Sequence, residues 1–511
     1  MREYAPDRRL TGGVRIAAHK DATTQTPIRR GLIPTQLVLG LQQHQGSAAQ
    51  PIVKPGQRVL KGELIAQAAP LRSASLHAST SGVVRSIEER LIPAAHEIHR
   101  SACIVIDTAG EDEPAAPIAD PWPASAAARL ERVRDAGIVG LGGGVFPTAA
   151  KLATETACKA LIINGAECEP YISCDDMLMR ECPSEIIEGA LLLKELVGAP
   201  ECIIASEQDK VHAIEAIAEA ARGFDDDTLK LAELPTIYPS GGERQLIELL
   251  LGEEVPSNEY PSRTGYICQN VGTVYALQRL VRRGQPLIKR IVTVGGGGVQ
   301  HPQNVEVLIG TPIAEVVDYC GGYREDVMRL ILGGSMMGYA LPSDDLPITK
   351  ASNCIIAALP GEVREDYSEW PCIRCGDCGN VCPARLLPME LLTAARTGNH
   401  PLLSDLGLND CIECGCCDVI CPSHIPLTEE FRKAKYAHAR HERQLAFSAE
   451  SELRYQRRER RQRKTDEETR ATQEHLKEEL DRGGSDRQDA IRAAVERARK
   501  RRRGDADSEQ Q

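Results

Sequence analysis

Cysteine spacing constrains this chain more than any other feature. Cys372-x2-Cys375-x2-Cys378-x3-Cys382-Pro383 is repeated as Cys411-x2-Cys414-x2-Cys417-x3-Cys421-Pro422. Three thiols at i, i+3 and i+6 sit on one tight loop and cap three irons of a cubane. The fourth, turned away at the Cys-Pro step, reaches the other cubane. The spacing therefore predicts one 4Fe-4S cluster on Cys372, Cys375, Cys378 and Cys421. It predicts a second on Cys411, Cys414, Cys417 and Cys382. Structural zinc is the competing reading, but zinc sites usually pair two CxxC units and lack the trailing Cys-Pro. Gly376, Gly379 and Gly415 would let amides approach the sulfurs, and Ile373, Val381, Ile412 and Ile420 would supply apolar cover. Cys416 is a fifth thiol in the second run. It reads as a bystander, although it makes a one-residue shift of ligands possible.

The chain holds 18 cysteines, and its first ten residues are charged without an apolar stretch. With no secretory signal, disulfides explain little and a cytoplasmic location is expected. The cysteines outside the ligand set read as small buried hydrophobes. No apolar run approaches the roughly 18–20 residues needed to span a bilayer. At 511 residues, about three or four domains are expected. Residues 430–511 carry 23 Lys and Arg against 18 Asp and Glu, while the rest carries 38 against 55. That acidic body argues against nucleic acid as a partner. The basic tail reads as a solvated helix or disorder, with a membrane surface, RNA or a protein as possible contacts.

Residues 51–90 have hairpin punctuation: short alternating runs split by Pro-Gly, Lys-Gly and Ser-Gly turns. They resemble the barrel-sandwich hybrid of biotinyl and lipoyl carriers. Those carriers modify a Lys at the tip, but Ala66 to Ser81 contains none, so the unit reads as structural. Residues 110–128 read as a linker. From there strands such as "ALIING" and "ECIIAS" alternate with helical patterns such as "PSEIIEGALLLKELVG", which implies a parallel sheet flanked by helices. Residues 290–350 read as a small α+β unit with one helix at Ile313–Tyr319.

A glycine-rich turn, Gly140-Leu141-Gly142-Gly143-Gly144, opens into the helix that holds Lys151. Such a turn is either a phosphate cradle or a plain tight turn. Asn164-Gly-Ala-Glu167-Cys-Glu169-Pro170 crowds carboxylates at a strand end. These suit ribose or flavin edges, or else cap a helix.

Together these segments resemble the flavin- and NADH-binding 51 kDa subunit of respiratory complex I. That family carries a G-R-G-G-x-G-F-P-T-G-x-K loop and an N-A-D-E-x-E-P strand end. Leu141 stands where it has Arg, and Ala166 where it has Asp. A more specific similarity covers roughly Gly31 to Lys435. "GLGGGVFPTAAKL", "NGAECEPYISCDDMLMRE", "YPSGGERQLIELLLGEEVP", "CQNVGTVYAL" and the two cysteine runs look like the C subunit of the Rnf (or Rsx) electron transport complex.

The resemblance implies a multidomain α/β + α fold. Residues 1–110 would hold a barrel-sandwich hybrid, and 125–284 a Rossmann-like FMN/NADH domain. Residues 285–355 would be a soluble-ligand-binding β-grasp (SLBB) domain and 362–435 a helical two-cluster ferredoxin domain, followed by a charged tail at 436–511. It implies FMN on Gly140, Gly142, Gly143, Gly144, Lys151 and Asn164, with Asn270 and Thr273 near the phosphate. Glu167, Glu169 and Glu243 would face NADH, the substrate. It implies a peripheral subunit on the cytoplasmic side of the bacterial inner membrane, docked on integral partner subunits. The whole complex would couple electron transfer between NADH and ferredoxin to Na⁺ or H⁺ translocation. A flavin is needed there because NADH gives a two-electron hydride and 4Fe-4S clusters take single electrons. No residue stands out as a general acid, general base or nucleophile. The alternative is a cluster-bearing wiring adaptor without its own nucleotide site.

Overall fold

The computed structural model describes residues 2–4, 9–70, 72–257, 259–363, 368–482 and 487–506. The chain divides into a large unit, Met1–Ala434, and a smaller one, Lys435–Gln511.

The large unit begins with two small antiparallel sheets. One is built on strands β1 (Gln36–Gly40), β2 (Gly82–Pro93) and β3 (Ile98–Thr108), with Arg58–Val59 on its edge. The other joins Gln50–Pro51, Leu64–Gln67 and Leu76–His77. The long β2–β3 hairpin extends well beyond the expected short strands. Its Glu88, Glu89 and Arg90 face solvent while Ile104 and Ile106 of β3 are buried, so three consecutive charges on alternate sides of the strand mask its pattern. The 110–128 stretch is not a free linker. Ala115 donates to the Lys61 carbonyl and Ile118 to that of Gly284.

Next comes a parallel sheet. Its strands are β4 (Ala160–Gly165), β5 (Cys202–Glu207), β6 (Leu229–Leu234) and β7 (Tyr266–Asn270), in the order β6-β5-β4-β7, with Arg2–Tyr4 beyond β6. Their central residues are mostly apolar and buried because helices cover both faces, with Lys230 and Glu233 interrupting β6. The connections carry α1 (Thr148–Leu152), ahead of β4, then α2 (Cys174–Glu181), α3 (Pro183–Val197), α4 (Val211–Ala221) and α5 (Glu243–Leu251). Helix α6 (Val271–Arg283) follows β7. Helix α3 starts on a proline and ends at Gly198 in the left-handed region, the usual start and stop chemistry. Strands β4, β5 and β6 step to one side, and β7 then pairs on the other side of β4. That reversal opens a crevice beyond the carboxyl ends of β4 and β7. Asn164 and Asn270 stand in register there.

A second mixed sheet holds β8 (Lys289–Gly295), β9 (Gln303–Leu308), β10 (Arg329–Leu332) and β11 (Cys354–Ala358), in the order β9-β8-β11-β10, with Tyr339–Ala340 outside. Helix α7 spans Ile313–Tyr319, as the sequence predicts.

The cysteine region is helical: α8 (Asp377–Asn380), α9 (Pro388–Arg396) and α10 (Cys416–Ile420), followed by α11 (Leu427–Arg482). Its two runs share backbone conformation. Arg374 and Glu413, Gly376 and Gly415, and Arg385 and His424 all have positive φ. Each pair is 39 residues apart, the offset between Cys372 and Cys411. The repeat is therefore geometric as well as chemical. The smaller unit is helical through Arg482 and again over Arg487–Ala506. Gly483 and Gly484, in the middle of the charged tail, lie outside the described residues. Among the described residues, no helix is long and apolar enough to cross a membrane.

Candidate functional site

The glycine loop lies at the crevice between β4 and β7. It is closed by the Gly140 amide donating to the Phe146 carbonyl at 2.9 Å. A Cβ at Gly143 or Gly144 would meet no heavy atom within 4 Å, whereas one at Gly142 would meet the Asn270 Cβ at 3.3 Å. The loop therefore presents a bare backbone floor, with Asn270 closing one side. The helix that the sequence places after this loop, α1, has only five residues. The longer α6 supplies the helix N-terminus instead. The Asn270 side chain caps it by accepting from the Gly272 amide at 2.9 Å, and Thr273 Oγ1 accepts from the Leu141 amide at 2.9 Å. Gly142, Asn270 and Thr273 thus meet at one point, which fits a phosphate at amides and a helix dipole.

Lys151 reaches across to donate to the Cys268 carbonyl at 2.5 Å and pairs with Glu243 at 2.8 Å. Burial works against its charge, but Glu243 outweighs burial and raises its pKa. Asn164 Nδ2 donates to the Gly241 carbonyl at 2.8 Å. The N-terminal sheets cover the loop. Gln45 donates to the Gly144 carbonyl, and Arg72 lies over Phe146 and Tyr260 at 5.4 and 5.9 Å. Leu141, where the complex I family has Arg, lines a cavity of about 550 Å³ shared with Arg279 and Arg290.

Two of the carboxylates expected to face NADH, Glu167 and Glu169, accept hydrogen bonds from backbone amides. Glu167 accepts from the amides of Asp175 and Asp176 at 2.6 and 3.0 Å, capping the first turn of α2. Glu169 accepts from Met336 and Met337 at 2.7 and 2.9 Å. Burial raises the pKa of both. Burial, then the Glu167 charge, raises Asp175 as well. Glu167 and Asp175 are thus a pair that resists double ionisation.

The thiols gather as the spacing predicts. Cys372, Cys375, Cys378 and Cys421 line one cavity of about 380 Å³. Cys382, Cys411, Cys414 and Cys417 line another of about 370 Å³, and Cys416 lines it too. The first cavity draws three thiols from one run and one from the other; the second draws four from its own run, Cys416 among them, and one from the other, so each holds at least the four donors a cubane takes. The expected apolar cover is uneven. Val381 and Ile412 pack beside Cys414 and Cys416, but Ile373 is 69% and Ile420 40% exposed.

No sequence motif singles out Tyr238, yet it links crevice and thiols. Its buried hydroxyl donates to the Cys414 carbonyl at 2.8 Å. Three residues on, Gly241 accepts from Asn164 and donates its amide to Cys168 Sγ at 3.3 Å. The only signal in the sequence is its place in the "YPSGGER" segment. The partner of its hydroxyl lies 176 residues away.

Residues 133–279 match the Nuo51 FMN-binding domain, residues 8–111 the RnfC barrel sandwich hybrid domain, and residues 291–340 the SLBB domain. Among curated proteins, the chain is 43% identical to the C subunit of the ion-translocating oxidoreductase complex of Pseudomonas aeruginosa, covering 98% of this chain and 66% of that protein. It is 41% identical to the protein of the same name from Rhodobacter capsulatus, covering 83% and 82%. Among solved structures, an NAD⁺-reducing [NiFe]-hydrogenase matches at 21% identity and a TM-score of 0.43, covering 63% of this chain and 62% of that one. The fold and the matched domains define a flavin-domain redox subunit. More narrowly, the chain belongs to the family of C subunits of ion-translocating oxidoreductase complexes. It spans about two thirds of the Pseudomonas relative's length and 51% of the relative from Pasteurella multocida.

Proposed function

We propose that this chain carries electrons between NADH and two 4Fe-4S clusters, as a peripheral subunit of a membrane complex that couples redox flow to Na⁺ or H⁺ movement. In this reading residues 125–284 hold FMN and 362–435 hold the clusters. Bound FMN would exchange a hydride with the nicotinamide and single electrons with iron–sulfur centres. The chain's own residues do the positioning. Gly140, Gly142, Gly143, Gly144 and the α6 N-terminus with Thr273 would bind the phosphate through amides and dipole. Asn164, Lys151 and Glu243 would line the crevice, the Lys151–Glu243 pair keeping a fixed charge pattern there. Cys372, Cys375, Cys378 and Cys421 would hold one cluster, and Cys382, Cys411, Cys414 and Cys417 the other.

The observation that carries this reading is the Tyr238–Gly241 segment. One of its ends hydrogen-bonds the second thiol loop and the other hydrogen-bonds Asn164 at the crevice. Such a join suits a protein in which electrons pass from crevice to cavity. Integral partner subunits at the cytoplasmic face of the inner membrane, and ferredoxin or another carrier beyond them, complete the proposal. The test is flavin, iron and sulfide content of anaerobically purified protein, with its absorbance before and after NADH. Flavin with about eight irons and eight sulfides, bleached by NADH, is expected. Iron without flavin, and no response to NADH, would favour the wiring adaptor. Stoichiometric zinc would overturn both.

A further inference from the structure

The N-terminal sheets send one stretch of chain onto the glycine loop. Gln45 grips the loop twice, its amide donating to the Val145 carbonyl at 3.2 Å and its side chain to the Gly144 carbonyl at 3.0 Å. Two residues on, the Ser47 amide donates to the Arg72 carbonyl at 2.9 Å. The backbone of Arg72 is thereby tied to the loop. Its guanidinium lies over two rings, 5.4 Å from the centroid of Phe146 and 5.9 Å from that of Tyr260. Phe146 ends the glycine loop and is half-buried, while Tyr260 is 51% exposed.

Stacking engages the face of a guanidinium and leaves its N–H edge free. Among the described residues, no carboxylate pairs with Arg72 and its side chain makes no hydrogen bond. The crevice lysine differs, since Lys151 is already paired with Glu243. Beside Arg72 the backbone is open: a Cβ at Gly144 would meet no heavy atom within 4 Å. The rim of the crevice thus combines an exposed, oriented fork of donors with two aromatic faces and room at the loop. A guanidinium edge matches a phosphate bidentately, and aromatic faces suit a base. A molecule that carries both is a dinucleotide.

We propose that Arg72 is a binding residue for the NADH substrate, its edge taking the pyrophosphate while Phe146 and Tyr260 hold its face. The N-terminal sheets then complete the substrate site, a role beyond the structural one that their sequence suggests. The inference rests on the NADH reading above. The test uses the full chain with its cofactors and ADP-ribose as probe, which carries the adenine and pyrophosphate but no nicotinamide. Arg72→Met keeps a stem over the rings and removes the charge. By calorimetry it should weaken ADP-ribose binding about tenfold, as expected for lost charge-assisted hydrogen bonds. Arg72→Lys is a point charge without the fork and should recover part of that loss. With NADH as donor and ferricyanide taking its two electrons one at a time, Arg72→Met should raise KM by a similar factor and leave kcat within about twofold, the mark of binding lost equally before and in the transition state. Both variants should melt as the wild type does, because Arg72 is exposed, and should keep its flavin content. Wild-type affinity in Arg72→Met overturns the proposal. So does loss of flavin from that variant in its folded state, since the phosphate held would be the flavin's own. A wild-type chain that binds neither ADP-ribose nor NADH overturns the NADH reading instead, and this inference with it.

Discussion

Tyr238 uses its hydroxyl on a backbone carbonyl rather than on any reacting group, so its value is geometric. Tyr238→Phe removes one buried hydrogen bond and leaves the Cys414 carbonyl unsatisfied, a cost of about 1–3 kcal/mol. The expected result is a changed EPR line shape for the second cluster with an intact first cluster; equal effects on both would show general destabilisation instead. Lys350 is a second case. It is fully buried and donates to the carbonyls of Ser75 and Gly137 at 3.2 and 2.7 Å, joining three parts of the large unit. Burial lowers its pKa to about 7. The folded value lies below the unfolded one, so between them the unfolded chain binds more protons and this residue's contribution to stability rises with pH. The melting temperature of wild type minus that of Lys350→Met should therefore increase from pH 7 to 10, and a flat difference would refute the assignment. The grouping of the eight cysteines in two cavities is legible from spacing, because the intervals within each run are short and local. Tyr238 and Lys350 are not, since their partners lie 176 to 275 residues away.

At the level of elements, β4, β5 and α7 are legible because their apolar runs are unbroken, whereas Lys230 and Glu233 interrupt β6. The β2–β3 hairpin reads short because the consecutive charges Glu88, Glu89 and Arg90 break its apolar alternation. The carboxylates of the Asn164–Pro170 turn point to a nucleotide on motif grounds, yet Glu167 has the helix-capping geometry that the sequence left open. Glu167→Ala should cost about 1 kcal/mol or more by uncapping α2, readable as a lower denaturation midpoint; unchanged stability would mean that the amides find another acceptor. The two cysteine runs are interlocked elements, each sending its last thiol into the cavity of the other. Cys382→Ala should therefore deplete the cluster on Cys411, Cys414 and Cys417, although Cys382 belongs to the other run. EPR of the reduced variant decides this, and loss of only the Cys372–Cys378 cluster would contradict the crossing.

For the whole molecule, the proposed membrane complex raises the question of what would hold the chain there, given that no described helix can span a bilayer. Two means of attachment compete: docking of the body on partner subunits, and adsorption of the basic tail to anionic lipid. The tail's charge is diluted, with 23 basic residues among 18 acidic ones. Some of these neutralise each other one helical turn apart, as in Arg454–Glu450 and Arg463–Glu459. Two stretches are dense in positive charge, Arg457–Lys464 and Arg497–Arg503. At about 1 kcal/mol per basic residue near an anionic surface, each gives a few kcal/mol, and physiological salt weakens both. A protein interface of ordinary size is less sensitive to salt, because much of its free energy is apolar burial. Deleting residues 455–511 should therefore leave the protein in the membrane fraction of cells that contain its partner subunits. Removing the integral partners should release the full-length chain. Fractionation in high salt sharpens the contrast: a truncated protein that folds, binds its cofactors and still appears in the soluble fraction would make the tail the anchor.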